Sequence, residues 1–195
     1  HAGTKHCRKK WPNGLMAAKA DAKTNRITRK ALLRKQGSCS TSKMRIEMLD
    51  NIRMEIPKGK KLFFLSDFHL GSPDHASSRE RENRIVAWLD RHEAEMAGLF
   101  LLGDIFDYWF EYRHVVPKGF VRLFGKLAAI GDLGIPIHFF CGNHDTWIRD
   151  YFEKEIGITP HKGNALLRTG NRLFFIGHGD GLGPGEKGYK FMKAI

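Results

Sequence analysis

Four apolar runs in this chain each stop at residues able to hold a proton or a metal, and no other feature constrains the fold so tightly. The run Lys61–Ser66 ends in Asp67-Phe-His69. "GLFLLGD" (98–104) ends at Asp104, with Asp107 three residues on, and "IPIHFFCGNHD" (135–145) ends in Asn143-His144-Asp145. The last, "ALLRTGNRLFFIGHGD" (165–180), reads as a hairpin with its turn at Thr169–Asn171 and its second strand ending at His178. Helical spacing separates them. Ser78–Glu95 carries Ile85, Val86, Leu89 and Met96, and Lys118–Ile130 carries Val121, Leu123, Phe124 and Leu127 as its expected inward face. Strand–helix alternation predicts an α/β layered core, with ligands bound beyond the carboxyl ends of the strands.

Each strand end is weak evidence by itself, because a Gly-Asp is usually a turn and an Asp-x-His is usually a satisfied polar pair. Four in succession are harder to explain as turns. Buried acids need partners, and Lys and Arg are scarce at these ends, so one or two divalent cations are the economical answer. Alternation along a strand is expected to aim Asp67 and His69, two residues apart, at one point. Carboxylate, imidazole and amide donors together suit Mn²⁺, Fe²⁺ or Zn²⁺ better than Ca²⁺.

The net charge of +12 over 195 residues suggests nucleic acid until it is located. Residues 1–57 hold 14 Lys and Arg against 4 Asp and Glu, whereas residues 58–195 hold 19 against 17. The basicity belongs to a leader, set here as residues 1–55, and the domain as 56–195. Two readings of the leader stand. Leu15–Lys35 is a basic, weakly amphipathic helix for RNA or an anionic membrane surface, or the whole leader is a tail outside the fold, disordered or not native to the mature protein. The second is the expectation, with Met44, Met48 or Met54 as a natural start. No nucleic-acid partner is expected, and the oligomeric state is left open. Three cysteines without a CxxC pair read as reduced thiols. No run approaches a membrane span and none reads as a secretory leader, so the expected compartment is the cytoplasm.

The motif set D-x-H, G-D-x-x-D, G-N-H-D and G-H, in that order over residues 60–180, resembles the calcineurin-like metallophosphoesterases. That resemblance implies a four-layered α/β/β/α sandwich with two divalent ions at the sheet edge, Mn²⁺ being the expected species. It implies that Asp67 and His69 bind the first ion, that Asp104 bridges both, and that Asn143 and His178 bind the second. His144 is the expected catalytic donor to the phosphate or leaving oxygen, with Asp145 fixing its tautomer. Asp107 is expected to orient ligands rather than to be one. The family's closing G-H-x-H is not found before Ile195, so a C-terminally truncated domain is expected, lacking that motif and most of a lid.

The text between the motifs narrows the resemblance. "SDFHLGSPDHASSRERENRIVAWLD", "LGDIFDYWFEYRHVVPKGFVRLFGKLA" and "FFIGHGDGLGPGEKGYKFMK" are similar to the UDP-2,3-diacylglucosamine diphosphatases of lipid A biosynthesis, in the form found in Bacteroidetes-type bacteria. This implies cleavage of a pyrophosphate in a nucleotide-activated glycolipid, releasing UMP and 2,3-diacylglucosamine 1-phosphate at the inner membrane leaflet. It implies that Asn143, His144, Glu186 and Tyr189 contact substrate, with Glu186 standing where some relatives carry Asp. The aromatics of "DYWFEYRHVVPKGF" (107–120) line an acyl channel, stack on a base, or are ordinary core. The alternative function is a metallophosphoesterase for another phosphodiester, phosphomonoester or phosphoprotein.

Overall fold

The computed structural model describes residues 50–180. Leu15–Lys35, Glu186 and Tyr189 therefore lie outside the described residues. The elements run β1 (Asp50–Arg53), β2 (Lys61–Leu65), α1 (His75–His92), β3 (Met96–Leu102), α2 (Val121–Asp132), β4 (Ile137–Phe140), a π-helical turn (Phe152–Ile156), β5 (Thr159–His161), β6 (Ala165–Thr169) and β7 (Arg172–Ile176). Strands β2-β3-β4-β5 form one sheet, parallel throughout, and β1-β6-β7 form a second.

Side-chain alternation sorts the core into two layers. Leu65, Leu99, Leu101, Ile137 and Phe139 face the helices, against Ile85, Leu89, Leu123, Leu127 and Ile130. From the other face Phe100 and Phe140 meet Ile52, Ala165, Leu167 and Ile176 of the second sheet. Helices, sheet and sheet supply three layers of the expected α/β sandwich. Continuous apolar strands are what a sheet covered on both faces requires.

Several boundaries move. The first helix begins at His75, not Ser78, because the Asp74 side chain accepts from the Ser77 N–H (2.9 Å) and caps it. Its last turn tightens into a 3₁₀ turn at Glu93–Glu95, and Met96 opens β3 rather than closing the helix. Val121, expected inward, is 70% exposed at the first position of α2. That helix has no cap from its own N-cap residue, Phe120. The buried Glu82 of α1 instead accepts from the N–H groups of Arg122 and Leu123, at 3.0 and 3.1 Å.

The domain boundary expected at 55/56 also needs correction. Asp50–Arg53 lies on the leader side of it, yet pairs in parallel with β6 from Asp50↔Ala165 to Arg53↔Arg168. Its sequence, DNIR, offers one apolar residue, so pairing rather than propensity makes it a strand. β5 was equally hidden, because Pro160 sits inside it. As an edge strand it tolerates the missing N–H.

Candidate metal centre

Parallel pairing does not stop where the strands do. Beyond β2 and β3 the Asp67 N–H donates to the Gly103 carbonyl (3.1 Å), His69 to Asp104 (3.0 Å), Leu70 to Ile105 (3.0 Å), and Asp107 back to Leu70 (2.9 Å). The loops after these two adjacent strands are thereby laced together. Arg81 of α1 reaches under the first of them, its Nη1 donating to the carbonyls of Phe68, His69 and Ser72 at 3.0, 2.7 and 3.1 Å.

The convergence of Asp67 and His69 has a different cause from strand alternation. β2 ends at Leu65, and the two residues sit at φ 58° and 44°, with Asp104 at 53°. These are three of the four non-glycine residues with positive φ among the described residues. Left-handed backbone costs an ordinary side chain about 1–3 kcal/mol and gathers at functional sites. Here it turns carboxylate and imidazole inward from loops that would otherwise splay. Gly142 permits a close approach: a Cβ there would sit 2.2 Å from Asp104 Oδ1. The Gly-Asn-His and Gly-Asp motifs thus keep one glycine each where two loops touch.

The donor atoms of Asp67, His69 and Asp104 lie within 4.8 Å of one another, as do those of His69, Asp107 and His144. His69 joins the two groups, its Nε2 3.8 Å from Asp104 Oδ2 and its Nδ1 3.6 Å from Asp107 Oδ1. On the other side of Asp104, His178 Nε2 is 3.4 Å from the same Oδ2 and 3.2 Å from Asn143 Oδ1. Most of these gaps are too long for good hydrogen bonds. Donors about 2.1 Å from a shared ion lie about 3–4 Å apart, so the set fits divalent cations on either side of Asp104.

The imidazoles are set as ligands are. His178 Nδ1 donates to the Leu102 carbonyl (2.8 Å), which leaves Nε2 facing Asp104 and Asn143. Hydrogen bonding to Asp104 pushes the His178 pKa up to about 9, against burial. Burial pushes the Asp104 carboxyl up, but hydrogen bonds from His178 and from the His144 N–H outweigh it and hold it below the usual carboxylate range. A bound cation would displace the His178 proton and take over its neutralising role.

Two expectations change here. Asp145 does not touch the His144 ring. It is fully buried, and its oxygens accept the N–H groups of Gly142 (2.7 Å), Ile105 (2.8 Å) and Asp104 (3.3 Å). The His144 tautomer is fixed instead by the Asp107 carbonyl, 2.8 Å from Nδ1. Asp107, expected only to orient, places a carboxylate oxygen 3.7 Å from that same nitrogen, within the second donor group. Buried Glu111, unnoticed in the sequence, accepts from the Trp109 indole (3.0 Å) and from the N–H groups of Arg149, Asp150 and Tyr151. It anchors the loop after His144. Its only sequence signal was an acid embedded among aromatics.

The segment 107–120 divides. Trp109 is fully buried and Phe120 packs on the helix-side core, whereas Tyr108 and Tyr112 are 58% and 64% exposed.

Comparison with known proteins agrees with this geometry. Residues 60–192 match the family model described as calcineurin-like phosphoesterase. The chain is 48% identical over 120 residues to the UDP-2,3-diacylglucosamine hydrolase of Porphyromonas gingivalis, covering 62% of this chain and 46% of that protein. It is 27% identical over 132 residues to the enzyme of the same name from Nitrosococcus oceani, covering 68% and 51%. With the Edwardsiella ictaluri enzyme, again of that name, it is 29% identical over 131 residues, covering 65% and 47%. The chain spans about half the length of these relatives. The laced loops, the donor groups around Asp104 and the extent of the match together make this chain a member of the calcineurin-like phosphoesterase family.

Proposed function

We propose that the full-length protein hydrolyses the pyrophosphate of UDP-2,3-diacylglucosamine, giving UMP and 2,3-diacylglucosamine 1-phosphate, at the cytoplasmic face of the inner membrane. The observation that carries the reading is the position of Asp104, buried between the Asp67/His69 donors and the Asn143/His178 donors. The name shared by the relatives supplies the substrate. Asp67, His69 and Asp104 would hold one divalent cation, Asp104, Asn143 and His178 a second, with Mn²⁺ as the proposed species. When bound, such ions polarise a phosphoryl group and acidify water.

The chain's own groups do the rest. Asp104 neutralises charge on both sides of itself. His144, its Nδ1 occupied by the Asp107 carbonyl, turns Nε2 outward as the nitrogen able to pass a proton to the leaving oxygen. Asn143 is exposed beside it and offers an amide to the phosphate. Glu186 and Tyr189 are proposed to hold the sugar headgroup. No helix among the described residues is long and apolar enough to cross a membrane.

The test compares substrates for the full-length protein with Mn²⁺. UMP release from UDP-2,3-diacylglucosamine should far exceed that from UDP-N-acetylglucosamine, because binding energy from the acyl chains, about 0.8 kcal/mol per buried CH₂, can hold the pyrophosphate in line for attack. In ¹⁸O-labelled water the label should enter UMP. Exhaustive chelation should stop the reaction. Equal rates on the acylated and unacylated sugars would replace this reading with a phosphoesterase of other substrate.

A further inference from the structure

Beside the donor groups the surface changes character. Tyr108 follows Asp107 directly and Trp147 lies three residues past His144. Tyr108, Tyr112, Val115 and Trp147 are 58%, 64%, 63% and 52% exposed. They form a connected patch. Phe110 packs between Tyr112 and Trp147, with ring centroids 4.6 and 5.7 Å away, and Tyr108 stands 6.4 Å from Trp147. The backbone beneath is held firm. Phe110 and Trp147 form a parallel bridge, Glu111 N–H donates to the Trp147 carbonyl (3.1 Å), and Tyr112 N–H donates to that of Val115 (2.9 Å).

We propose that this patch is the face by which the protein lies on an anionic bilayer, so that the metal centre opens at the lipid surface. The proposal rests on the lipid-substrate reading above. Large exposed apolar patches mark interaction sites, and tyrosine with tryptophan is the composition that settles at a membrane–water interface. Their rings bury an apolar body while the hydroxyl or indole N–H stays wet. Charge agrees. Arg113 and His114 are exposed between Tyr112 and Val115, and Arg149 is exposed two residues past Trp147, its charge partly offset by Asp150. Each cation near an anionic leaflet adds attraction that falls away with salt. A lipid substrate would then pass from bilayer to donor groups without carrying its acyl chains through water.

The test uses the full-length protein and vesicles of phosphatidylethanolamine and phosphatidylglycerol (3:1) with brominated acyl chains. The chain has four tryptophans, so the signal assigned to Trp147 is the quenching seen in wild type and missing in Trp147→Phe. Bromine should quench Trp147. Partitioning should fall at least tenfold in the Tyr108→Ser/Tyr112→Ser/Trp147→Ser variant, whose melting temperature checks that it folds. If that variant does not fold, Tyr108→Ser/Tyr112→Ser with Arg113→Glu is read instead, with the same drop expected. Vesicle binding with Trp147 unquenched, through the basic leader for example, overturns the proposal, as does an absence of binding. No substrate is present, so quenching without hydrolysis would sink the function reading alone.

Discussion

Two clusters in this molecule use the same side chains to opposite ends. At the mouth, His69, Asp107 and His144 stand 3.6 and 3.7 Å apart, their side chains 35–42% exposed. Between the sheets, His138 Nδ1 meets His161 Nε2 at 3.0 Å and His161 Nδ1 meets Asp50 at 2.8 Å. The inner chain is closed. Each ring nitrogen that faces a partner is in hydrogen-bond contact, His138 is stacked on Phe100 and His161 on Phe140. The mouth is held open by backbone: left-handed residues and laced loops keep its groups a few tenths of an ångström too far apart to satisfy one another. What separates a ligand set from a structural tie is therefore less than 1 Å of spacing, not residue type.

The largest effect should come from breaking the open cluster at its buried member. Asp104→Ala should lower the hydrolytic rate at least about a hundredfold, on the order of 3 kcal/mol, and more than Asp107→Ala does. Calorimetric titration with Mn²⁺ should show the matching loss of binding. Equal small effects would mean that the Gly-Asp is merely a turn.

Next comes the closed cluster. Burial, reinforced by the charge of His161, holds the His138 pKa down at about 4 from its usual 6.5. The unfolded chain takes up that proton first. The contribution of neutral His138 is thus complete above pH 6.5 and is lost as pH falls toward 4. In metal-free protein, wild type should lose about 2 kcal/mol more than His138→Gln across that window in urea unfolding. Parallel curves would show that the tie does not sense protons.

The smallest effect concerns where the tie is anchored. Deleting residues 1–45 should leave the melting temperature within about a degree, whereas deleting 1–53 removes β1 and Asp50 and should lower it by several degrees. If the shorter deletion costs as much as the longer, the leader packs on the core.

What the sequence made legible follows from range. Asp67, His69, Asp104, Asn143 and His178 stand at the ends of apolar runs, so short-range pattern exposed them, and the helix faces at Ile85, Leu89, Leu123 and Leu127 obeyed their period. Arg81, Glu82, Glu111 and His138 were illegible, and Asp145 was given the wrong partner, because most of their defining partners lie 9 to 41 residues away. A carboxylate that accepts backbone N–H groups looks, in sequence, like one that binds a cation. β1 was missed for a related reason, since its evidence is a partner strand more than a hundred residues on.

Asp145 carries one consequence further. Its carboxylate is satisfied only when the turn at Gly142 and the backbone at 104–106 are already side by side. The chain cannot fold around this acid without also bringing Asp104 up to Asn143 and His144. The ordering entropy of much of the proposed ligand set would thus be settled during folding rather than at ion capture. A cation held as proposed would meet an aperture of set width, and discrimination among ions would then fall to radius and dehydration rather than to a loop's willingness to close.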